Sequence, residues 1–398
     1  MARRATPTAP GLQQLTFLDI RRKVVEVAEA PDPATPATKL FCVVLALMGI
    51  GLAVQAGHAA TTVGSFLEFL GVVKEHLIFR GGGILALVAA YWIGPAGIRR
   101  FIPFLLVMSA LLLVLVYVEP FSARINGARR WVTLLPGLTF QPSELARIVL
   151  VLWVADRCVR LGEGLRDFKT GLLPILAVIV TLFALVAAET DLGGSLLLLV
   201  CSISTLWVGG GKMAHLALSV VAFGGGALTL GAAMIPYIRG RVDMFLGTTQ
   251  NEQVLSSLDA IALGGFEGTG LGQGVVRTSG IPYLQSDYVF SQIGEELGLL
   301  GTGMVLLLLL AFLWFSLRLV LSIRCRYQAL VAFGLLLSVA LQAMIHVQVN
   351  SGLAPPKGMT LPFISDGGTS LLVSSFAVGL ALGASRRPPQ PGMHLEES

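Results

Sequence analysis

The stretch QSDYVFSQIGEELGLLGTGMVLLLLLAFLWFSL, residues 285–317, places three acids, Asp287, Glu295 and Glu296, directly before a long apolar run. A helix needs about 20 consecutive apolar residues to cross the hydrocarbon core of a bilayer. The run after Glu296 meets this requirement, so the stretch predicts a membrane-spanning helix with carboxylates at its entrance. The side of the membrane that these acids face decides what chemistry they can perform.

The composition indicates that the whole chain belongs in a membrane. Hydrophobic residues make up 55% of the 398 positions, charged residues only 13%, and the mean hydropathy is +0.79. A soluble domain carries about 25% charged residues. We therefore predict an all-α integral membrane protein. The net charge of +5 gives no indication of nucleic-acid binding, because basic residues in such proteins mainly set orientation.

Apolar runs predict ten transmembrane helices within a membrane domain of residues 38–385. Residues 1–37, which are polar and rich in proline, are expected to form a disordered cytoplasmic tail, and residues 386–398 a second cytoplasmic tail. The ten predicted spans are about 39–57, 77–95, 100–118, 142–159, 170–188, 192–209, 213–236, 296–318, 328–350 and 361–383.

The positive-inside rule orients these spans. With both termini in the cytoplasm, most of the 28 lysines and arginines lie in inner segments, as the rule requires. The stretch around Asp287 then closes a large outer loop, residues 237–295, between spans seven and eight. Three more polar segments, 127–147, 189–195 and 351–370, face the same side. Functional loops gather in this way on a rigid scaffold, so we expect these four segments to cluster.

The three acids of the opening stretch have different expected roles. A carboxylate near low dielectric has a raised pKa, which suits Asp287 to act as a general base. The alternative is a loop acid that pairs with Arg241 or Arg277. Glu295 and Glu296 are predicted to open the eighth helix, where acids favour the helix dipole by about 0.3–1 kcal/mol, or to bind a cation.

Two further pairs of charges lie at span edges. Glu144 and Arg147 are three residues apart and share a face of the predicted fourth helix. Ionisable residues within spans are costly, so this pair either serves function or forms a self-contained ion pair. Arg80 and Asp191 are lone charges beside apolar runs, and we expect them to pair and lock the second span to the sixth.

Several cations on the outer face suit phosphate groups, among them Arg130, Arg147 and Lys357. Ordinary solvated loop charge is the alternative. The glycine-rich stretch GGFEGTGLGQG, residues 264–274, lacks the lysine of a nucleotide-binding loop and predicts tight turns or close backbone approach instead. The four scattered cysteines have no metal-ligand spacing, so neither a disulfide framework nor a zinc site is predicted.

With these segments identified, the chain resembles the SEDS family (shape, elongation, division and sporulation), typified by FtsW and RodA. Five ordered stretches carry the resemblance: RRWVTLLPGLTFQPSELARI (129–148), TDLGGSLLLL (190–199), QVLSSLDAIALGGFEGTGLGQG (253–274), SDYVFSQIGEELGLLG (286–301) and VNSGLAPPKGMTLPFISDGGTS (349–370). The PPKGMTLPF segment, with Lys357, is more similar to the division type, FtsW, than to the elongation type, RodA.

The resemblance implies a peptidoglycan glycosyltransferase of the bacterial cytoplasmic membrane, active at the outer face. Septal synthesis in cell division is the expected role, and an elongation-type polymerase for cell shape is the alternative. Its substrate would be lipid II, and its partners a class B penicillin-binding protein and other division or elongation proteins. Asp287 matches the family's essential aspartate. The residues expected to bind substrate are Arg130, Glu144, Arg147, Lys357 and Ser365. Either Arg147, Arg130 or Lys357, or a divalent cation such as magnesium or manganese, would neutralise the pyrophosphate.

The sequence departs from the family pattern at three places. Asp366 replaces the usual tyrosine of the PFISYGG segment, and His346 replaces the usual asparagine. Gln285 and Ser286 precede Asp287 where His-Thr is more frequent. These departures leave open a specialised member of the family.

Two other function classes remain alternatives. A transporter or lipid flippase also has many spans and charged residues within them. Transporters, however, concentrate charge near the midplane, whereas here the charges gather at the outer ends. A non-catalytic scaffold that recruits a synthase is the third interpretation.

Overall fold

The computed structural model describes residues 34–119, 121–125, 128–135, 138–219, 221, 225, 252–275 and 284–386. Helices dominate this part of the chain. They are α1 (Ala34–Thr62), α2 (Phe66–Ile98), α3 (Ile102–Leu115), α4 (Pro142–Leu161), α5 (Leu173–Ala188), α6 (Leu192–Val208), α7 (Met213–Ser219), α8 (Glu252–Gly264), α9 (Leu284–Asp287), α10 (Val289–Ser322), α11 (Arg326–Asn350) and α12 (Gly368–Gly383).

A small antiparallel sheet stands between α3 and α4 along the chain. It consists of β1 (Ser122–Ile125), β2 (Ala128–Leu135) and β3 (Leu138–Phe140), in that spatial order. The sequence predicts here only a polar outer segment, residues 127–147. The strands are short, and their register shifts within both pairings, so no clear alternating pattern marks them in the sequence.

Five helical stretches of the described chain are long and apolar enough to cross a membrane, and α6 and α12 are shorter apolar helices. The five stretches are Ala34–Thr62, Phe66–Leu115, Phe168–Ala188, Val289–Ser322 and Arg326–Asn350. The chain is therefore a helical, multi-pass membrane protein, as the composition predicts. The count of ten spans and the cytoplasmic position of both termini stay predictions.

Helix α4 forms the centre of the bundle. Every residue from 146 to 156 is buried, and α3, α5, α6, α11 and α12 all contact the helix. A helix surrounded on all sides needs no single apolar face. This burial explains how α4 keeps Glu144, Arg147 and Asp156 in a membrane protein, because protein groups rather than lipid surround them.

Helix α2 has the opposite environment. Its large apolar side chains point outward, with Leu67 79%, Leu85 71% and Trp92 65% exposed. Exposed apolar surface on this scale is typical of a helix that faces lipid or another membrane protein. Helix α12 contacts α2 along its other side, where Gly379 and Gly383 lie against the α2 backbone.

Several predicted spans are confirmed as helices: 39–57 lies within α1, 142–159 within α4, and 328–350 within α11. The predicted second span begins too late, because α2 starts at Phe66 and continues through Arg80 and the three glycines after it. The helix breaks instead at Gly94, with φ 61° and ψ 167°, directly before Pro95.

The tenth predicted span, 361–383, is wrong over its first seven positions, because α12 begins at Gly368. Residues 361–367 are apolar enough to imitate a span, but the backbone leaves helical geometry at Phe363, with φ 69°. The eighth span also needs correction. Helix α10 begins at Val289 and breaks at Gly298, with φ 64° and ψ −158°.

Other predictions fall partly outside the described residues. The seventh span, 213–236, is represented by α7 and by residues 221 and 225, and the outer loop 237–295 by residues 252–275 and 284–295. The predicted tails lie outside except at their inner edges. There the first tail is corrected, because residues 34–37 are helical and Pro36 is buried.

Candidate active site

The four outer segments that the sequence groups together do meet in the structure. The link between 351–370 and the stretch around Asp287 is direct, because the Ser365 hydroxyl donates to the Ser286 carbonyl at 2.7 Å. Three more hydrogen bonds join the remaining segments: Thr369 Oγ1 to the Thr139 carbonyl at 2.9 Å, Arg130 Nη2 to the Thr190 carbonyl at 2.7 Å, and Gln141 Nε2 to Asp191 Oδ2 at 3.1 Å.

Residues 351–367, here called the α11–α12 segment, form the hub of this cluster. The segment has no helix or strand, yet Leu361 and Ile364 are at most 1% exposed. Irregular backbone at membrane depth persists where protein groups satisfy it. Here the Leu361 N–H donates to Ser365 Oγ at 2.8 Å, and Arg80 Nη2 donates to the Ile364 carbonyl at 3.5 Å.

Asp287 ends the short helix α9 and is half-buried. Its backbone is fixed through its own carbonyl, which accepts from Asn350 Nδ2 at 3.1 Å, and through the bond from Ser365 to Ser286. Its carboxylate faces the backbone of Gly358. A Cβ atom on Gly358 would lie only 2.9 Å from Asp287 Oδ2. The predicted base is thus held against the α11–α12 segment, beside Lys357.

The alternative partners for Asp287, Arg241 and Arg277, lie outside the described residues. Lys357 lies over the start of α6. A Cβ atom on Gly193 would approach the Lys357 side chain to 3.3 Å and the Met359 sulfur to 3.0 Å. The absence of a side chain at Gly193 is what allows the α11–α12 segment to pack there.

Three polar residues on α11 support this arrangement, and the sequence analysis assigned a role to none of them. Gln342, His346 and Asn350 are spaced four residues apart and are at most 2% exposed. His346 Nδ1 donates to the Met359 carbonyl at 2.6 Å. Asn350 Oδ1 accepts from the Ser291 N–H at 3.1 Å. A polar stripe at this spacing in an apolar helix was the available signal.

Glu144 and Arg147 lie together in the first turns of α4, behind the α11–α12 segment. Arg147 Nη2 donates to Gln342 Oε1 at 2.9 Å, and Gln342 in turn bonds Thr360 and Ser370. No direct ion pair joins Glu144 to Arg147 within 4.0 Å among the described residues. The buried atoms Glu144 Oε2 and Arg147 Nε also have no hydrogen-bond partner there.

This finding argues against a self-contained ion pair. Buried polar groups are nearly always hydrogen-bonded, and leaving one unsatisfied costs about 1–3 kcal/mol. Two such atoms within one turn of helix are therefore typical of a site that a bound group completes. The functional interpretation of Glu144 and Arg147 stays a prediction.

Asp191 caps the N-terminus of α6. Its Oδ1 accepts from the Gly194 N–H at 2.9 Å, and its Oδ2 accepts from Gln141 and from Ser143, at 3.1 Å and 3.4 Å. The predicted pair of Arg80 with Asp191 is wrong. Arg80 donates to backbone carbonyls instead, with Nε 3.1 Å from the Met48 oxygen.

The prediction fails because the Arg80 guanidinium donates its hydrogen bonds to backbone carbonyls of helix α1 and of the α11–α12 segment, and not to a carboxylate. Its guanidinium supports the α11–α12 segment near Asp366, the residue that stands in place of the family's tyrosine. Asp366 Oδ1 lies 3.7 Å from His76 Nδ1. The Asp366 carboxylate, at a position where the sequence departs from the family pattern, therefore lies close to a histidine side chain on α2.

Arg130, predicted to bind substrate, bonds the turn between α5 and α6. Its Nη2 donates to the Thr190 carbonyl, and its Nε donates to the Glu189 carbonyl at 3.3 Å. Thr190 has φ 63°, a conformation that non-glycine residues adopt rarely. The guanidinium therefore stabilises a strained turn.

The Glu189 side chain is 1% exposed, and neither of its oxygens has a hydrogen-bond partner among the described residues. Burial and the nearby Asp191 carboxylate raise the pKa of Glu189 to about 9, although Arg130 opposes the shift. Glu189 is accordingly a neutral acid at pH 7. The sequence analysis noted its segment but not this residue.

Glu295 and Glu296 do not open a helix, because α10 starts six residues before Glu295, at Val289. They instead hold the glycine-rich loop, residues 264–275, at the Gly298 break. Glu296 Oε2 accepts from the Gly272 N–H at 3.0 Å, and Glu295 Oε1 accepts from the Val275 N–H. The expected close backbone approach is confirmed, since a Cβ atom on Gly268 would lie 2.3 Å from the Glu296 carbonyl oxygen.

The described residues contain no group of three or more histidine, cysteine, aspartate or glutamate side chains that could hold a metal ion. Within the described residues, a divalent cation would thus have fewer than three such side chains close enough to bind it together.

Comparison with known proteins gives a consistent result. The family model FTSW_RODA_SPOVE, described as a cell cycle protein, matches residues 37–388. The chain is 31% identical to stage V sporulation protein E of Bacillus subtilis over 88% of this chain and 97% of that protein. It is 29% identical to a probable peptidoglycan glycosyltransferase FtsW of Trichlorobacter lovleyi, over 93% and 96% of the two chains.

Among solved structures, the chain is similar to one from a peptidoglycan synthase complex that coordinates polymerization and crosslinking. The TM-score is 0.72 at 26% identity, and the match covers 87% of this chain and 96% of that chain. The likeness thus extends over most of the chain.

Proposed function

We propose that this chain, which belongs to the FtsW, RodA and SpoVE family of cell cycle proteins, is a peptidoglycan glycosyltransferase. It would polymerise lipid II into glycan strands at the outer face of the bacterial cytoplasmic membrane. The relatives' names support the activity and favour a role in septal synthesis over elongation.

The reaction joins two lipid-linked disaccharides. A sugar hydroxyl of one chain attacks the anomeric carbon of the other, the bond from that carbon to the pyrophosphate oxygen breaks, and the lipid pyrophosphate leaves. The hydroxyl proton needs a base, and the leaving group needs positive charge. In this proposal the Asp287 carboxylate takes the proton.

The observation that carries the proposal is the placement of Asp287. Its backbone is held by Asn350 and, one residue earlier, by Ser365, and its carboxylate is pressed against Gly358. A general base must be held within hydrogen-bond reach of the proton that it removes. Contacts on both sides of the aspartate supply this rigidity.

The charge and the hydrogen-bond partners of each side chain suggest its role in substrate binding. Arg147 and Lys357 would neutralise the pyrophosphate, and the unsatisfied atoms of Glu144 and Arg147 would be completed by the bound headgroup. Arg130 and Ser365 bond backbone carbonyls, so their contribution would come mainly through positioning. Glu295 and Glu296 would position the glycine-rich loop.

We also propose a class B penicillin-binding protein as partner. The support is the similarity to a chain of a synthase complex that couples polymerization to crosslinking. Coupling requires the growing strand to pass between two active sites, which is simplest if the two proteins share one membrane complex.

Lipid II polymerisation in detergent tests the activity. The wild type and Asp287→Asn would each be assayed with the partner's transpeptidase site blocked, and folding would be checked by gel filtration and melting temperature. We expect glycan polymer from the wild type only. Normal polymer from a folded Asp287→Asn variant would disprove the role of the aspartate.

The transporter alternative makes a different prediction. A flippase moves lipid II across liposomes without making polymer, and loss of Asp287 need not affect movement. Measuring flipping and polymerisation on the same preparations separates the two functions.

A further inference from the structure

A cluster of arginines lies at the end of the bundle away from Asp287. Arg99 and Arg100 form the turn between α2 and α3, and Arg157 and Arg160 lie at the end of α4. Asp156, whose side chain is 4% exposed, lies among them. Its oxygens accept from Arg99 Nε at 2.8 Å and from Arg160 Nε at 2.6 Å.

The charges in this cluster do not balance. One carboxylate faces three guanidinium groups, since Arg157 is also within 4.0 Å of Asp156, and the fourth arginine of the cluster, Arg100, stacks on Phe101 instead. In the described part of the chain, Asp156 is the one acid recorded in ion pairs with these arginines. The cluster therefore carries a surplus of positive charge.

The arginines are also held in place rather than free to move. Arg99 stacks on the Tyr327 ring at 4.5 Å, and both Arg99 and Arg160 use Nε to bond Asp156. The terminal nitrogens of these two arginines take no part in the hydrogen bonds described to the carboxylate. Paired guanidinium edges of this kind match the oxygens of a phosphate group.

An open cleft of about 500 Å³ lies between these groups, lined by Ala96, Arg99, Arg100 and Arg160. Exposed apolar side chains lie on the same turn and on the adjoining parts of α2 and α3, with Trp92 65%, Phe101 47% and Phe104 62% exposed. A cleft lined by three arginines thus adjoins an apolar surface at the edge of the bundle. This combination fits an amphipathic anion rather than a soluble one.

We propose that this cleft binds the phosphate headgroup of an anionic phospholipid, with the acyl chains lying along α2 and α3. Basic pockets between transmembrane helices on the cytoplasmic side are suited to such headgroups. The proposed topology, with its excess of basic residues inside, puts the cluster on that side. The site is separate from the outer cluster around Asp287 and independent of the glycosyltransferase proposal.

Native mass spectrometry of the full chain tests the proposal. Retention of phosphatidylglycerol would be compared with phosphatidylcholine of the same acyl chains, for the wild type and for Arg100→Gln. Arg100 is the variant of choice because it makes no recorded bond to Asp156. The matched control is Arg318→Gln, which removes an arginine that stacks on Trp314 and does not line the cleft.

We expect the wild type to prefer phosphatidylglycerol and Arg100→Gln to weaken that preference about fivefold, from the ~1 kcal/mol of one basic residue near an anionic surface. Arg318→Gln should retain it. Equal loss in the two variants, or no preference in the wild type, would overturn the site.

Glycerol phosphate and inorganic phosphate distinguish the source of the phosphate. Neither should displace bound phosphatidylglycerol at concentrations equal to that of the lipid, because the acyl chains contribute to binding. Displacement by either would identify a soluble phosphate ligand and overturn the lipid proposal. Both competition experiments use the wild-type protein, so they still test the proposal if Arg100→Gln does not fold.

Discussion

Asp287 Oδ2 lies 2.9 Å from the position that a Cβ atom would occupy on Gly358. This contact joins the predicted base to the α11–α12 segment, which also contacts α6, α11 and Arg80. The position of the carboxylate therefore depends on residues far from it in sequence.

Gly358→Ala is expected to impair polymerisation severely, because the added methyl group must displace the Asp287 carboxylate. A misplacement of about 1 Å can reduce a rate about 10²-fold. The measurement is the initial rate of lipid II polymerisation, with the melting temperature as a check of folding.

Gly303→Ala on α10 is the matched control, because nothing lies within 4 Å of its Cβ position. It should polymerise lipid II at the wild-type rate. A Gly358→Ala variant that is as active as this control would show that the contact does not position the base.

Arg147→Gln is expected to reduce kcat/KM for lipid II by about 10²-fold, a loss typical of a removed charge-stabilising group. The variant also leaves Glu144 without its nearest cation and Gln342 without its donor. Exposed Arg166, which lies beyond the C-terminal end of α4, is the control, and Arg166→Gln should retain activity. If Arg147→Gln keeps normal kcat/KM, the substrate role of Arg147 is disproved.

The raised pKa of Glu189 predicts a pH-dependent stability. Burial and Asp191 raise that pKa to about 9, whereas the ordinary value is 4.5. Folding then takes up a proton between these two pH values, so the stability contributed by Glu189 is complete below pH 4.5 and is lost as pH rises toward 9.

Glu189→Gln removes this proton uptake. We expect the variant and the wild type to melt at similar temperatures at pH 5, and the variant to be more stable at pH 8, by up to a few kcal/mol at about 1.4 kcal/mol per pKa unit. Melting temperatures across this range provide the test. Parallel pH profiles would contradict a neutral Glu189.

Gly268→Ala is expected to destabilise the protein more than Gly265→Ala. Both glycines have positive φ, at 83° and 52°, so both variants incur backbone strain. Only Gly268 has a neighbour in the way, the Glu296 carbonyl oxygen, and such overpacking costs about 1–3 kcal/mol more. Equal losses of melting temperature would show that the loop does not pack tightly on α10.

The sequence alone was sufficient for features that depend on local pattern. Hydropathy placed α1, α4 and α11, and the spacing of Glu144 and Arg147 put them on one helix face. The grouping of four outer segments also followed from the sequence, because alternate connections of a membrane bundle emerge on the same side.

Tertiary structure decided the rest, because the groups that satisfy buried polar atoms come from distant parts of the chain. Arg80 bonds the carbonyl of Ile364 rather than Asp191, and Asn350 bonds the carbonyl of Asp287. The break at Gly298 redirects Glu295 and Glu296 from a helix start to the glycine-rich loop. Hydropathy records only how apolar a segment is, so the partner of each buried charge emerges only when the helices pack.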